Sequence, residues 1–321
     1  MKNAPSTPLA RILIQELLHR PIHPYAEELI QTILGKSQPL GVLFYGSAIE
    51  KDDPDGILDF YVIVNKVSDW PGSVLKHFGN RVLPPNVEYY ECQIRGQVIR
   101  AKVAIITLKQ FYKMSGRYSY DITIWARFAQ PARLVWVNNP KAADAILVCL
   151  IRCVKTATFW AAVLGSREGK GEAFWYSLFQ KTYQAELRME DNNRPRILLE
   201  RKEERYTYFL REGWKAQNIP FQEKDGVFSP LIEKEKKQAL FQRWLARSKK
   251  GKPLNLLRIL KAVFTFEGGV DYVAWKIFRH QNIKITLSNF ERRHPVLASP
   301  SLLYKLVKSR ALKFHQGKNK G

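Results

Sequence analysis

The stretch that decides the fold is FYGSAIEKDDPDGILDFYVIV, residues 44–64. A short apolar run ends at Gly46-Ser47, and a second apolar run, Ile57–Val64, contains Asp59. Apolar runs of this length that are bounded by turn residues are typical of buried β-strands. The sequence therefore predicts two core strands, with a Gly-Ser turn after the first and a carboxylate within the second.

This arrangement resembles that of polymerase-β-like nucleotidyltransferases. The glycine lets the backbone approach a triphosphate, and Ser47 with neighbouring N–H groups can hold its oxygens. Asp59, fixed on a strand, would ligate Mg²⁺, which prefers hard oxygen ligands and stabilises charge on attacking and leaving oxygens. The usual motif has a second carboxylate two residues away, where this chain has Tyr61. The alternative is a turn glycine and an ordinary strand aspartate.

The remaining pattern predicts an α+β fold, in which a small mixed sheet with flanking helices is followed by a helical domain. We divide the chain into a nucleotidyltransferase domain with N-terminal helices, a helical domain, and a basic amphipathic C-terminal helix and tail, at residues 1–140, 141–250 and 251–321. Further strands are expected at 98–106 and 133–137, and a polar loop around Pro220 and Gly226. Helices are expected within 8–35 (broken at 21–24), 119–132, 142–162, 172–189, 196–214 and 232–247.

The 321-residue chain carries a net charge of +23. Such an excess indicates a polyanionic partner, namely nucleic acid, nucleotide phosphates or an anionic membrane, although a basic protein kept soluble by its charge is the alternative. The cysteines, Cys92, Cys149 and Cys153, form no CxxC pair and favour a reducing compartment over a disulfide framework or zinc site. We expect no membrane-spanning segment and no secretory signal.

Five blocks of sequence, in order between residues 44 and 280, resemble the mitochondrial translocator assembly and maintenance family. These are the mitochondrial-type CTP:phosphatidate cytidylyltransferases, which also have bacterial members. In that family a single Asp likewise precedes the Phe of the first block, so Tyr61 departs only from the wider superfamily. The blocks are YGSAIEKDDPDGILDFYVIV, IRAKVAIITLKQF, WARFAQPARLV, KTYQAELRMED and LKAVFTFEGGVDYVAWKIFRH.

The resemblance is partial between residues 70 and 90, where His77 and Asn80 keep an HxxN spacing but Lys76 replaces a Trp. The HYS motif that follows in the family is not present, and Glu88-Tyr89-Tyr90 stands in its place. This segment could contact lipid or nucleotide, so the acceptor could differ from phosphatidate. For His77, a surface histidine is the alternative to a substrate contact.

The resemblance implies transfer of CMP from CTP to a lipid phosphate, with release of pyrophosphate and formation of CDP-diacylglycerol from phosphatidate. Asp59 and Glu186 would hold Mg²⁺, or Glu186 would orient Arg188. Cationic side chains would bind the triphosphate or the acceptor phosphate, the alternative being solvated surface charge. The predicted site comprises the catalytic residues Asp59, Lys102 and Glu186 and the nucleotide-binding residues Gly46, Ser47, Arg127 and Arg188.

The C-terminal region combines basic and apolar residues, with seven Lys/Arg and no acidic residue between Arg243 and Lys261. This composition suits an interfacial helix on an anionic bilayer, unless its apolar residues form a helical core. The resemblance implies CTP and an anionic phospholipid or lipid phosphate as partners, and this composition adds a membrane surface; we expect no nucleic acid. The protein would be cytoplasmic, peripheral on the inner face of the membrane, or on the matrix side if mitochondrial. Two rivals stay open: an RNA-directed nucleotidyltransferase, and a non-catalytic lipid- or nucleic-acid-binding protein on the same fold.

Overall fold

The computed structural model describes residues 7–19, 24–35, 37–49, 56–185, 194–200, 202–265 and 286–293. Its strands are β1 (Gly41–Tyr45), β2 (Ile57–Val64), β3 (Asn86–Ile94), β4 (Gln97–Thr107), β5 (Ala132–Val137), β6 (Gly169–Lys170), β7 (Phe221–Lys224) and β8 (Val227–Pro230). Its helices are α1 (Pro8–His19), α2 (Ala26–Leu34), α3 (Val74–Val82), α4 (Leu108–Met114), α5 (Thr123–Phe128), α6 (Pro140–Leu164), α7 (Gly171–Ala185), α8 (Arg194–Leu199), α9 (Glu203–Lys215), α10 (Lys234–Thr265) and α11 (Asn289–Arg293).

The larger sheet is mixed and five-stranded, with the order β3-β4-β2-β1-β5. Strand β2 runs parallel to β4, whereas the other neighbouring strands are antiparallel. The predicted α+β class and the predicted strands β1, β2, β4 and β5 are therefore confirmed. Strand β3 was not predicted because its sequence, NVEYYECQI, contains no continuous apolar run.

Two clusters of buried side chains cover the two faces of this sheet, because successive residues of a strand point to opposite sides. Along β2, Phe60 and Val62 pack in the cluster that includes the buried face of α2. Tyr61 and Ile63 pack in the other cluster, which includes α1, α5, α6, α7 and α9. The site described below lies at the end of the face that carries Tyr61.

Helix α6 supplies the largest share of that second cluster. It begins after Asn139, whose Oδ1 accepts a hydrogen bond of 2.9 Å from the Ala142 N–H. We expected no segment long and apolar enough to cross a membrane, but α6 has that length and composition. Because 72% of its apolar window is buried inside the protein, α6 packs as a core helix does. Cys149 and Cys153, four residues apart in α6, are both buried and pack in this cluster.

The chain after α6 departs from the prediction in two places. The helix expected at 196–214 is divided into α8 and α9. The expected polar loop is a hairpin of β7 and β8, which joins β6 in a three-stranded sheet. Asp225 and Gly226 have φ of 51° and 75° at its turn, as a two-residue hairpin requires. An Asp-Gly pair between two short runs was the signal for this hairpin.

The division into three domains stays a prediction. One cluster of buried side chains extends from Leu9 to Trp244 and so includes residues on both sides of residue 140. Helix α10, predicted to end at residue 247, continues through residue 250 to Thr265. The packing of the described residues is therefore continuous across residue 140.

Candidate nucleotidyl-transfer site

Register places four polar side chains in one row across the sheet. Tyr45 on β1 lies opposite Asp59 on β2, Asp59 lies opposite Lys102 on β4, and Lys102 lies opposite Tyr89 on β3. Directly opposed residues of neighbouring strands share a face and have Cβ atoms about 5 Å apart. The structure thus brings together the predicted residues Asp59 and Lys102, which are 43 positions apart in the sequence.

Gly46 holds the backbone against the carboxylate of Asp59. It has φ of +93°, a conformation that favours glycine, and a Cβ added to it would lie 3.1 Å from Asp59 Oδ2. The hydroxyl of Tyr45 lies 3.5 Å from the other carboxylate oxygen, Oδ1. Tyr45 at the end of β1 and Gly46 in the turn that follows therefore lie against the two oxygens of the carboxylate.

Arg127 reaches the same face from α5. Its Nη1 donates a hydrogen bond of 3.0 Å to the hydroxyl of Tyr61, and its guanidinium carbon lies 5.1 Å from the ring centroid of Tyr45. Phe128 packs against both tyrosine rings, with centroid separations of 5.7 Å and 5.1 Å. Two residues after Asp59, this chain therefore has a tyrosine whose hydroxyl accepts a hydrogen bond from an arginine.

Burial keeps both tyrosine hydroxyls protonated. Burial raises the pKa of Tyr45 well above its ordinary value, and the negative charge of Asp59 raises it further, whereas Arg127 lowers it. Burial also raises the pKa of Tyr61, against the effect of Arg127 and Arg258. A protonated Tyr45 can donate to the Asp59 carboxylate at any physiological pH.

Asp121 and Arg258 form an ion pair beside this cluster. Asp121 Oδ1 accepts hydrogen bonds from the N–H and hydroxyl of Thr123, at 2.9 Å and 2.6 Å, and so fixes the start of α5. Its Oδ2 pairs with Arg258 Nη2 on α10. The charge of Arg258 lowers the pKa of Tyr61, whereas that of Asp121 raises it. Sequence analysis assigned neither Asp121 nor Arg258 to the site. It also did not assign Tyr45, which is in the row across the sheet, or Tyr61, which is in β2.

The second half of α10 also contacts the turn that precedes β3. Lys261 Nζ donates to the carbonyls of Leu83 and Pro85 and to Asn86 Oδ1, at 2.6, 2.7 and 3.0 Å. Burial, with the nearby charge of Arg258, lowers the pKa of Lys261 to about 7. The helix that sequence analysis assigned to a membrane contact therefore contacts the residues that lead into the five-stranded sheet.

The other predicted residues have different positions. Ser47 is exposed in a short 3₁₀ turn directly after Gly46. Glu186 and Arg188 lie outside the described residues, so their predicted roles stay predictions. Asn80 is buried and donates to the Ile105 carbonyl at 2.9 Å, while His77 Nε2 donates to the Trp70 carbonyl at 3.0 Å. The HxxN pair thus makes structural contacts between α3 and its surroundings.

The residues present fit a magnesium ion that is bound mainly through substrate. Within the described part of the chain, no group of three or more His, Cys, Asp or Glu side chains could hold a metal ion. Mg²⁺ in nucleotide enzymes is often held by one or two carboxylates together with substrate phosphates and water. Asp59, partly exposed beside the turn at Gly46, is a carboxylate of that kind.

Comparison with known proteins adds little to this geometry. No protein-family model matches the chain, and no curated protein matches it. Among solved structures, a nucleotidyltransferase-like protein from Exiguobacterium sibiricum 255-15 is similar over 92% of this chain and 96% of its own, with 10% identity and a TM-score of 0.26. A TM-score this low carries no argument about fold or function. The resemblance to the mitochondrial translocator assembly and maintenance family stays a hypothesis.

Proposed function

We propose that this chain is a magnesium-dependent nucleotidyltransferase that transfers CMP from CTP to a lipid phosphate such as phosphatidate and releases pyrophosphate. The observation that carries the proposal is the approach of Gly46 to the carboxylate of Asp59 on a rigid strand, with Lys102 and Arg127 on the same face. A fixed carboxylate beside a turn of close backbone approach, flanked by cations, suits a polyphosphate substrate.

Each side chain has a separate task in this scheme. The backbone at Gly46 and the hydroxyl of Ser47 would contact phosphate oxygens, and Asp59 would hold the ion. Mg²⁺, when bound, supplies Lewis-acid stabilisation of the charge on the phosphates. Lys102 and Arg127 would stabilise the charge that develops as an acceptor phosphate oxygen attacks the α-phosphate. The P–O bond to pyrophosphate breaks as the new P–O bond to the acceptor forms.

A second candidate, an RNA-directed nucleotidyltransferase, is favoured by one surface feature. Tyr118 and Tyr120 are exposed after α4, and cations stack on their rings: Arg117 at 5.0 Å and Lys250 at 4.4 Å. Exposed aromatic rings among cations are typical stacking sites for single-stranded nucleic acid. We rank this function second because the stacked surface specifies no reaction.

The experiment that tests the proposal separates the two acceptors. The full chain is incubated with CTP and Mg²⁺, with either phosphatidate in mixed micelles or a short RNA, and pyrophosphate and the labelled acceptor are measured. We expect pyrophosphate and CDP-lipid from phosphatidate, loss of both in Asp59→Asn, and normal rates in Asp225→Asn, a matched control in the β7–β8 turn. RNA extension without any CDP-lipid would establish the second candidate instead.

Extension of the RNA must itself depend on the stacked surface to support that second candidate. Tyr118→Ala and Tyr120→Ala should weaken RNA binding, whereas Tyr176→Ala, an exposed tyrosine on α7, should not. If neither acceptor is modified, the non-catalytic reading of this fold replaces both.

A further inference from the structure

Helix α3 presents its apolar side to solvent. Val74, Leu75, Phe78 and Val82 are between 60% and 86% exposed. At 100° per residue these four positions fall within about 100° of the helix circumference, so they form one continuous stripe. Single exposed apolar residues are ordinary, but four on one short helix form a patch that marks a contact surface. We refer to these four residues as the α3 stripe.

The opposite side of α3 is polar and faces the protein. Asn80 is fully buried, and its Nδ2 donates to the Ile105 carbonyl of β4. His77 donates to the Trp70 carbonyl, and the main-chain carbonyl of Lys76 accepts from Asn86 Nδ2 at 2.8 Å. Helix α3 is therefore attached through polar contacts, and its polarity is inverted relative to an ordinary surface helix. Folding of the chain does not require the stripe to be apolar, because none of these contacts involves it.

Helix α10, which contacts α3, is rich in basic residues. Between Lys236 and Thr265, helix α10 has nine Lys/Arg and no acidic residue. This helix contacts the turn that follows α3 through Lys261 and Arg258, and its Leu257 is also exposed. An apolar stripe next to a basic helix combines the two attractions that hold a peripheral protein on an anionic bilayer.

We propose that the α3 stripe docks on an anionic lipid bilayer, with its four apolar side chains at the acyl boundary and the basic residues of α10 near the headgroups. The proposal deepens the proposed function and rests on it in one respect: the bilayer would also supply the lipid phosphate. A second copy of this chain is a poorer occupant, because two molecules of net charge +23 repel each other. Nucleic acid offers little to an aliphatic stripe, which has no hydrogen-bonding groups.

The position of the stripe also suits delivery of an acceptor to the site. Helix α3 leads into the turn at residues 83–86, which Arg258 contacts through the Pro84 carbonyl at 3.1 Å. The same guanidinium pairs with Asp121, which accepts hydrogen bonds from Thr123 at the start of α5, the helix that carries Arg127. A headgroup held beside α3 would therefore lie near the cationic side of the candidate site.

The first test measures sedimentation of the full chain with vesicles of phosphatidylcholine alone or mixed with phosphatidate. We expect binding to the mixed vesicles, and at least about tenfold weaker partitioning for a Leu75→Ser, Phe78→Ser double variant, since two large apolar side chains leave the lipid. Leu231→Ser removes an exposed leucine outside α3 and should bind normally. Equal binding of the wild type and the double variant would overturn the proposal, provided that their thermal unfolding coincides.

A second measurement identifies the occupant directly. An environment-sensitive fluorophore on Phe78→Cys, in a Cys92→Ser background, should shift to the blue when anionic vesicles are added. If the emission of the label is already blue-shifted without vesicles and does not change when they are added, another part of this chain covers the stripe. A label that shifts with protein concentration would mean self-association. Either result rejects docking on a bilayer.

The failure of this inference is distinguishable from failure of the proposed function. Asp59→Asn should bind vesicles as the wild type does, and the α3 double variant should still transfer CMP to a soluble short-chain phosphatidate. Transfer with no effect of α3 on vesicle binding rejects the docking surface alone. Stripe-dependent vesicle binding without any transfer rejects the function alone.

Discussion

The two faces of strand β2 share one backbone but carry side chains of opposite polarity. On one face Leu58, Phe60 and Val62 are buried in an apolar cluster with α2. On the other face Asp59 and Tyr61 lie near the N-terminal end of the strand, beside Lys102 of β4 and Arg127 of α5. A single residue of displacement in register would exchange these two sets. The apolar face therefore fixes the register, and the register fixes where the carboxylate points.

The difference teaches which substitutions should affect stability and which should affect chemistry. An apolar side chain on the buried face contributes packing free energy, and its loss leaves a cavity. A charged side chain at the end of the other face is partly exposed and contributes little to packing. Substitutions at neighbouring positions of β2 should therefore separate the two properties, and the predictions below test this separation.

The largest effect is expected at residues 59 and 60. Asp59→Asn should lower the rate of nucleotidyl transfer by about 10³-fold or more, because in the proposed function this carboxylate holds the ion and a neutral amide cannot replace it. Little change in stability is expected. Phe60→Ala, one position away, should lower the free energy of unfolding by about 3–5 kcal/mol. Urea denaturation and the pyrophosphate assay on both variants measure the pair. A large loss of stability in Asp59→Asn would contradict the separation of the two faces.

The next effect is expected at Arg127, whose fixed guanidinium contacts Tyr61 and stacks on Tyr45. Arg127→Lys keeps the charge but loses the planar fork, so we expect a fall of about 10²-fold in kcat/KM. Tyr61→Phe removes only the acceptor hydroxyl and should cause a smaller fall. If Tyr61→Phe lowers kcat/KM more than Arg127→Lys, the hydroxyl contacts the substrate itself and does not only position the guanidinium.

Gly46→Ala should cost about 1–2 kcal/mol of stability, because alanine at a φ of +93° is strained and its Cβ would meet the Asp59 carboxylate at 3.1 Å. We also expect a loss of activity, since the carboxylate must move. Gly226→Ala, at a φ of +75° with no atom within 4 Å of the added Cβ, is the matched control. Equal stability loss with full activity in both variants would show that the close approach to Asp59 has no function.

Much of the site could be predicted because its signal is local. Gly46 and Asp59 lie on two adjacent apolar runs, and both strands formed as expected, so their proximity follows from one strand pair. The pairing of Asp121 with Arg258 joins residues 137 positions apart, and each looks like an ordinary surface charge in the sequence. No periodicity of a single element could indicate that contact.

Helix α3 shows a second limit of sequence analysis. Predicting the buried side of a helix from its apolar residues assumes that the apolar side faces the protein core. In α3 the buried side carries Asn80 and His77, and the apolar side carries Phe78, so the pattern gives the wrong orientation. The β7–β8 hairpin was not predicted for another reason: its strands of four residues have too few positions to show an alternation.

The smallest predicted effect is a pH dependence of stability, and it concerns Lys261 of α10, a cation that lies outside β2. Burial and Arg258 lower the pKa of Lys261 to about 7, below the value of about 10.4 for an unfolded lysine. Between these two pKa values Lys261 binds more protons in the unfolded chain than in the folded chain. The free energy of unfolding therefore increases with pH over this range and decreases as pH falls towards 7. Three acceptor oxygens around Nζ oppose the shift, so we expect a change of about 1 kcal/mol or less from pH 7 to 9.

Lys261→Met removes the titrating group and keeps the aliphatic stem, so the variant should lack this rise in stability. Urea denaturation of both proteins at pH 7, 8 and 9 gives the difference in the free energy of unfolding, and titrations elsewhere in the chain cancel in it. Parallel curves would mean that Lys261 stays charged throughout, held by Leu83, Pro85 and Asn86. In that case the charged face of the sheet includes one more fixed cation beside Arg258, and its attraction for a phosphate acceptor does not weaken as pH rises from 7 to 9.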